Sequence, residues 1–337
     1  MLSSEELLRE AAATGFQAEA LEKVAHLLDL LASLRSHPFL KQRLVLKGGT
    51  ALNLFVFKAR RLSVDIDLNY IGAADRETMI SERPKVEQAV QAVCGRLGMQ
   101  VRRAPTEHAG GKWRFSYTSA WGRPGTLELD INFLQRTPLW PPTLADSNPI
   151  GSFVARQIPL LDVHELAAGK LTALFDRSAA RDIYDTRSLL GELELDEARL
   201  RLAFVVYGGT SGRDWRTISI DDIRADSKDV ALQLLPVLKA ELAPDRKEIK
   251  SWSTKLETTC RNLVARLLPL KSRDMEFLTL LNDQGKIAAE LLTGDREMQS
   301  IIHSHPGLRW KAQNVREHVR QTGHRSNRSN EYDSDEV

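Results

Sequence analysis

The sequence predicts an α+β protein, in which a mixed sheet flanked by helices precedes a mostly helical region. Segments that alternate polar and apolar residues, as half-buried strands do, are confined to the first third or so of the chain. A strand, a glycine turn and a helix follow one another at residues 43–57. A proline-rich connector then precedes residues with helical periodicity, and its prolines are Pro138, Pro141, Pro142 and Pro149.

Apolar residues recur at helical spacing over residues 5–34 and predict two helices that are broken near Gly15. Residues 43–46 read as a short strand that ends at Gly48-Gly49-Thr50, and a helix follows over residues 51–57. A further helix is predicted at residues 85–97. Three more strands are predicted at residues 64–71, 113–117 and 126–133.

These elements suggest three regions. Residues 1–150 form the α/β core with its N-terminal helices, residues 151–320 a helical domain, and residues 321–337 a polar, acid-ended tail that is expected to be disordered. Residues 211–223 look like an insertion or a linker.

Composition narrows the class of protein only moderately. The 337 residues carry a net charge of +2, so any attraction to nucleic acid must come from local basic surface. Cys94 and Cys260 are isolated in sequence and are expected to be buried, reduced and free of metal. The acidic N-terminus and the absence of a long apolar run predict a cytoplasmic protein without a membrane partner.

Asp65 and Asp67 are the first candidates for chemistry. The two-residue period of a strand places both carboxylates on one face, while Val64, Ile66 and Leu68 point to the core. Two neighbouring carboxylates repel each other unless a cation lies between them, and their oxygens suit Mg²⁺ or Mn²⁺. Taken alone, such a pair more often represents two solvated acids on an exposed strand.

The turn at Gly48-Gly49-Thr50 strengthens the metal interpretation. Paired glycines permit close backbone approach, a helix N-terminus offers unsatisfied N–H donors to a phosphate, and Thr50 can add a hydroxyl. A glycine turn by itself is weak support, but here the Asp65–Asp67 pair follows within one helix and one loop.

Residues 126–133 supply a third acid. Asp130 and Glu128 alternate with apolar residues and share the face that points away from the core, so either can complete a set of three carboxylates. Such a set could bind two metal ions, one that activates an incoming hydroxyl and one that holds a triphosphate for in-line displacement. An ordinary solvent-facing acid is the alternative for Asp130.

A cationic stripe is predicted in the helical region. Lys170, Arg177 and Arg181 fall within a narrow sector if one helix runs unbroken, and Asp182 and Asp185 lie on its adjoining side. Two alternatives stay open. The residues could form an ordinary charged surface helix, or the helix could break near residues 176–178, with the serine there capping a second helix.

The motifs together resemble the AbiEii/AbiGii toxin nucleotidyltransferases. The similar segments are Lys47-Gly-Gly-Thr-Ala-Leu, Arg61-Leu-Ser-Val-Asp-Ile-Asp-Leu, Lys170-Leu-Thr-Ala-Leu with Arg177, and Arg181-Asp-Ile-Tyr-Asp. Residues 305–314 are also similar to the helical C-terminal region of some members. They are interpreted as a helix start packed through Pro306, Leu308 and Trp310, with an approach of His305, Trp310 and Lys311 to an acceptor as the alternative.

The resemblance implies a polymerase-β-like nucleotidyltransferase core with a helical C-terminal domain, acting as the toxin of a type IV toxin–antitoxin or phage-defence pair. It implies Mg²⁺ or Mn²⁺ as cofactor, an NTP as substrate, an RNA acceptor such as the tRNA 3′ end, a block of translation, and a cognate antitoxin. By the resemblance, Asp65 and Asp67 would bind the metal and Asp182 or Asp185 would serve the catalytic step, while Asp130, predicted from the strand alternation, would be the third metal ligand. The implied nucleotide-binding residues are Gly48, Gly49, Thr50, Ser63, Lys170, Arg177 and Arg181.

Two other functions remain open from the sequence. The same nucleotide site could transfer AMP or a phosphoryl group to a protein hydroxyl. A degenerate site could also make the chain a nucleotide- or RNA-binding module that acts through a partner.

Overall fold

A seven-stranded mixed sheet organises the computed structural model, which describes residues 3–105 and 110–332, with side chains as far as residue 321. In space the strands follow the order β3-β4-β5-β2-β1-β7-β6. Their bounds are Leu44–Lys47 (β1), Asp65–Tyr70 (β2), Gln100–Arg103 (β3), Gly110–Thr118 (β4), Pro124–Asn132 (β5), Thr143–Ala145 (β6) and Ile158–Leu160 (β7). The strands predicted in the first 135 residues are therefore confirmed, and the α+β class with them.

Strand β2 lies at the middle of this sheet. It pairs in parallel with β5 and antiparallel with β1, and β5 pairs antiparallel with β4. The core-facing residues Ile66 and Leu68 are buried, as the alternation predicts. The candidate acids therefore lie on the two central strands of the sheet, where the backbone is held on both sides.

The sheet does not end at the predicted boundary near residue 150. Strand β7 pairs in parallel with β1 through Leu46 and Leu160, and β6 pairs antiparallel with β7. The proline-rich connector is therefore part of the sheet region. Both strands are only three residues long, too short to produce a period that the sequence reveals. The separate helical domain at residues 151–320 stays a prediction.

Helices cover the sheet and make up most of the second half of the chain. Helix α1 begins with a capping box of Ser3 and Glu6 and ends at Gly15 in the left-handed conformation, which confirms the predicted break. The helices are Ser4–Thr14 (α1), Ala18–Ser36 (α2), Gly48–Ala51 (α3, continued by a π-helical turn at Leu52–Val56), Arg76–Arg96 (α4), Val163–Arg177 (α5), Ala180–Glu192 (α6), Glu197–Thr210 (α7), Ser227–Asp229 (α8), Ile249–Val264 (α9), Ser272–Gln284 (α10), Arg296–Ser304 (α11) and Pro306–Tyr332 (α12).

The predicted cationic helix is broken between α5 and α6. Ser178 adopts a left-handed conformation with φ 49°, and its hydroxyl bonds to the backbone of Arg224 rather than capping the next helix. Helix α6 begins instead after Ala179, and the amide of Ala180 donates to the Asp229 carboxylate at 2.6 Å. The alternative of a break is thus confirmed, whereas the proposed Ser178 cap is wrong.

One further expectation needs correction, and another stays a prediction. Residues 211–223 are not a loose linker, because Trp215 is fully buried against Phe204 and Phe175, with ring centroids 5.2 and 5.5 Å away. A single buried aromatic residue produces no periodicity, so its burial could not be predicted from the sequence. Helix α12 is described as far as Tyr332, and the disorder expected over residues 321–337 stays a prediction. The rest of the expected disordered tail, residues 333–337, lies outside the described residues.

The burial expected of the two cysteines is confirmed. Cys94 and Cys260 are buried thiols, and burial raises the pKa of each to about 12. Over the part of the chain that the structure describes, every helix is too short or too polar to cross a membrane.

Candidate active site

Four acidic residues share one face of the two central strands. In the register of β2 and β5, Asp67 lies beside Asp130 and Asp65 lies beside Glu128. Directly paired residues on neighbouring strands point to the same side of a sheet, and each strand repeats every two residues. We call Asp65, Asp67 and Asp130 the carboxylate face. The structure thus brings together the three acids that the sequence predicted to act together.

The electrostatics of this face show crowding of negative charge. Burial raises the pKa of Asp65, and the nearby carboxylates of Asp67 and Glu128 raise it further. Arg181 acts in the opposite direction, with its Nη1 3.9 Å from Asp65 Oδ2. A cation placed between the carboxylates would relieve both the repulsion and the desolvation.

The carboxylate face fits a divalent ion by donor type and by strand register. Carboxylate oxygens are the ligands that Mg²⁺ and Mn²⁺ prefer. Within residues 3–105 and 110–332, no three acidic, histidine or cysteine side chains converge tightly enough to hold a metal as they stand. Coordination would therefore require side-chain rotation on a fixed backbone, and the metal role of Asp65, Asp67 and Asp130 stays a prediction.

The structure distinguishes the two candidates for the third acid. Glu128 is 3.1 Å from Lys112 Nζ and 2.6 Å from Arg114 Nη2, and the hydrogen bond from Arg114 lowers its pKa. Asp130 forms no ion pair within 4 Å among the residues described. Because the charge of Glu128 is already compensated by strand β4, the geometry favours Asp130.

The glycine turn lies directly against the carboxylate face. Lys47 pairs with Asp67 at the end of β1, and Gly48 follows with φ 72°. A Cβ at Gly48 would overlap the carboxylate of Asp67, and one at Gly49 would come 3.0 Å from Ser63 Oγ. The backbone of the glycine turn is therefore closely approached, as predicted, but the approaching groups are side chains of the site itself.

Thr50 and Ser63 have different surroundings from those expected of triphosphate ligands. Thr50 is fully buried, and its hydroxyl donates to the carbonyl oxygen of Asp65. Ser63 is also buried, with its Oγ beside Gly49. These contacts fix the start of β2 against the glycine turn, so the two hydroxyls act as positioning groups. Direct contact of either hydroxyl with a nucleotide stays a prediction, and this geometry does not favour it.

Beneath the site lies a buried network of ion pairs centred on Asp185. Its carboxylate receives two hydrogen bonds from Arg61, at 2.7 and 2.5 Å, and lies 2.9 Å from Lys170 Nζ. Asn53 Nδ2 donates to Asp185 at 3.1 Å and to the carbonyl of Gly49 at 2.9 Å. The network thereby joins helix α6 to the glycine turn.

Asp182 extends this network to the surface. It lies 2.9 Å from Lys170 Nζ and 2.6 Å from Arg177 Nε. Although burial alone would raise the pKa of Asp182 and Asp185, their cationic partners hold both below the ordinary value. Buried, ionised and fully paired carboxylates are poor proton acceptors for a substrate. A direct catalytic role for Asp182 or Asp185 has no support in this geometry, which makes them positioning residues.

The predicted cationic stripe separates into two parts. The Lys170 side chain is 7% exposed and committed to two aspartates, so it cannot reach a phosphate without breaking buried ion pairs. Arg177 and Arg181 are 65% and 34% exposed, and they act electrostatically on Asp67 and Asp65 respectively. These two arginines are therefore the cations at the rim of the carboxylate face.

Sequence reasoning assigned no role to three residues that shape the site. Arg61 stands in a motif similar to the family pattern, but its partner Asp185 lies more than 120 residues away in sequence. Asn53 offered no signal beyond its position in a helix. The sequence could have pointed to Lys112, because it alternates with Arg114 on β4, the strand that pairs with the acid-bearing strand β5.

Comparison with known proteins shows the family and the fold of the chain. The family model described as "Nucleotidyl transferase AbiEii toxin, Type IV TA system" matches residues 29–259, more than half of the chain. A search of the curated proteins gives no match. Among solved structures, the chain is similar in fold to MenT4, a nucleotidyltransferase toxin from Mycobacterium tuberculosis H37Rv. The TM-score is 0.61 and the identity 20%, over 90% of this chain and 99% of that one. The chain belongs to the AbiEii nucleotidyltransferase toxin family of type IV toxin–antitoxin systems.

Proposed function

We propose that this toxin-family nucleotidyltransferase transfers nucleotides from an NTP to an RNA acceptor, the 3′ end of tRNA, and thereby blocks translation. The observation that carries the proposal is the register of β2 and β5, which sets Asp65, Asp67 and Asp130 on one face next to the glycine turn. This face has the donor chemistry for metal-assisted transfer from a triphosphate. Membership of a type IV toxin–antitoxin family implies an antitoxin partner.

Each part of the site has a task in this reaction. When bound, Mg²⁺ or Mn²⁺ would be held by Asp65, Asp67 and Asp130 and would supply charge neutralisation for the triphosphate and the attacking hydroxyl. Arg177 and Arg181, at the rim, attract the triphosphate and compensate the charge that develops on the departing pyrophosphate.

The buried network has a supporting task. Arg61, Lys170 and Asp185 hold helix α6, and through Asn53 they hold the glycine turn, in fixed positions relative to the carboxylate face. Substrate-positioning groups of this kind matter because small misplacements of the reacting groups slow transfer strongly.

The experiment is label transfer by purified protein. Full-length protein is incubated with each α-labelled NTP, Mg²⁺ and total tRNA, and the label is followed in the RNA fraction. Asp65→Asn and Asp67→Asn should each lower the rate by at least about a hundredfold, as expected for a metal ligand required in the transition state. Glu128→Gln, on the same face but already paired with cations, serves as the matched control.

The alternatives give different results. Label from the α-phosphate that enters protein and resists ribonuclease would indicate nucleotidyl transfer to a protein hydroxyl. Toxicity that persists in Asp67→Asn, with no label transferred by either form, would indicate a non-catalytic binding module. Label in RNA that survives Asp65→Asn would contradict the assignment of the carboxylate face.

A further inference from the structure

A second polar surface lies outside the carboxylate face. A cavity of about 610 Å³ opens where α10, α11 and α12 meet. Four basic side chains line it, and we call them the cationic cleft. They are Lys286, His303, Arg309 and Arg316.

The charges of the cationic cleft are largely uncompensated. Over the described part of the chain, Lys286, Arg309 and Arg316 have no carboxylate within ion-pair distance, and all three are exposed. Arg316 Nη1 donates to the carbonyl of Gly285 at 2.9 Å, and His303 is 3.9 Å from Glu290. The whole chain has a net charge of only +2, so this concentration of unpaired cations is a local feature that attracts anions.

Helix α12 gives the cleft a linear shape. Arg309, Arg316 and Arg320 lie at offsets of 0, 7 and 11 and therefore share one side of the helix over about 16 Å. A row of this length is too long for a single phosphate and suits the successive phosphates of a nucleic-acid strand.

An exposed aromatic side chain follows Arg309 directly in the sequence and lies about 100° around the helix from the row of arginines. Of the three residues expected to pack the start of α12, Pro306 and Leu308 are buried, but Trp310 is 53% exposed. An exposed indole beside unpaired arginines matches the combination with which proteins bind single-stranded nucleic acids, in which bases stack on aromatic rings. The failed packing prediction thus leaves a side chain available for a ligand.

Helix α12 is also tied to the rim of the carboxylate face. Lys311 Nζ donates to the carbonyl of Ser211 at 3.0 Å, and Ser211 Oγ donates to Asp176 at 2.8 Å. Asp176 immediately precedes the rim residue Arg177. A strand bound along α12 is thereby held in a fixed relation to the rim.

We propose that the cationic cleft binds the sugar–phosphate backbone of single-stranded RNA, with Trp310 stacking on a base. The proposal deepens the proposed function, because it rests on RNA as the acceptor and assigns a surface that holds that acceptor outside the carboxylate face. Lys286, Arg309 and Arg316 contact phosphates, and Arg320 continues the row.

The test is binding of a short fluorescein-labelled single-stranded RNA to the full-length protein, measured by fluorescence anisotropy at several salt concentrations. The double variant Lys286→Glu/Arg309→Glu should weaken binding at least about tenfold. It should also reduce the slope of log K against log salt by about 1.4, the value for two lost single-strand phosphate contacts. Trp310→Ala should weaken binding by about fivefold or more and leave the salt slope unchanged.

The matched control is Lys247→Glu/Lys250→Glu, which makes the same charge change at two exposed lysines near the start of α9. It should bind RNA as the unmodified protein does, apart from a small uniform electrostatic effect. Thermal unfolding of each variant checks that the fold is intact. If the cleft variant and the control lose affinity equally, or if neither changes the salt slope, the proposal is wrong.

Failure here can be told apart from failure of the proposed function. Asp65→Asn should abolish transfer and retain RNA binding, and the cleft variant should lose RNA binding and retain binding of a fluorescent NTP analogue. RNA binding at the cleft without nucleotide transfer would overturn the proposed function alone. Transfer to RNA with unchanged affinity in the cleft variant would overturn the cleft alone.

Discussion

Replacing Asp185 with asparagine tests whether the ion pairs beneath the site hold the fold together. The change keeps the size of the side chain and removes its charge. Lys170 retains a second carboxylate partner in Asp182, whereas Arg61, whose side chain is 3% exposed, keeps only neutral acceptors, namely the carbonyl of Leu62 and the one amide oxygen left at position 185. A buried guanidinium would thus lose its carboxylate.

The size of the effect follows from which charge is left unpaired. Removing one partner of a buried ion pair costs about 3–5 kcal/mol, and we expect the lower end because one of the two cations keeps a partner. The free energy of unfolding is measured by urea denaturation at neutral pH. We also expect slower nucleotide transfer, because Asn53 bridges Asp185 to the glycine turn.

Glu192→Gln is a closely matched control. Glu192 lies on the same helix as Asp185, and its partner Arg60 is next to Arg61, but that pair is exposed. Exposed pairs contribute about 0–1 kcal/mol. If Asp185→Asn lowers the free energy of unfolding no more than Glu192→Gln does, the network is not the structural support that we describe.

Three more predictions concern Glu165, a buried residue of α5 outside the site, and two contacts within the site. Burial raises the pKa of Glu165 to about 7, so the folded state keeps a proton that the unfolded state loses above pH 4.5. The stability of Glu165→Gln relative to the unmodified protein should therefore rise by about 3 kcal/mol between pH 4 and 8. A difference in urea denaturation that does not depend on pH would contradict this. Gly48→Ala should lower the free energy of unfolding by more than about 1 kcal/mol and slow transfer. Gly95→Ala, in an open position of α4, should be neutral or slightly stabilising. Equal effects of the two substitutions would refute the close approach at Gly48. Asp130→Asn should slow label transfer at least about tenfold more than Glu128→Gln, and the reverse order would make Glu128 the third acid.

Local periodicity predicted the parts of the site that depend on one strand or one turn. The alternation around Asp65 and Asp67 was enough to place both carboxylates on one face, and the glycine turn was recognisable from three residues. The alternation of the later strand identified Asp130 and Glu128 as neighbours on that face. The sequence could not choose between them, because the cations that compensate Glu128 belong to strand β4.

Contacts between distant segments were beyond the reach of sequence patterns. The resemblance implied that Lys170 contacts a phosphate, but Asp182 and Asp185 bind it in a buried network that only the packing of α5 against α6 creates. Arg61 and Asp185 are joined across more than 120 residues. A charged side chain has the same identity whether it is buried and paired or free, so its role depends on tertiary structure.

Very short elements were missed for a related reason. Strands β6 and β7 contribute three residues each, and no window of that length distinguishes a strand from a loop. Trp310 illustrates the opposite error, in which an apolar residue in a helical pattern was assumed to be buried. Large apolar residues are often exposed singly, so the pattern of a helix does not settle the exposure of each member.

The most direct test of nucleotide transfer by the carboxylate face in its natural setting is sequencing of RNA 3′ ends. Cells that express the protein are compared with cells that express Asp67→Asn at equal abundance. We expect untemplated nucleotides on tRNA 3′ ends with the unmodified protein, and normal ends and normal growth with the variant. Unaltered RNA ends in cells that the protein nevertheless poisons, or altered ends that persist in Asp67→Asn, would contradict the account.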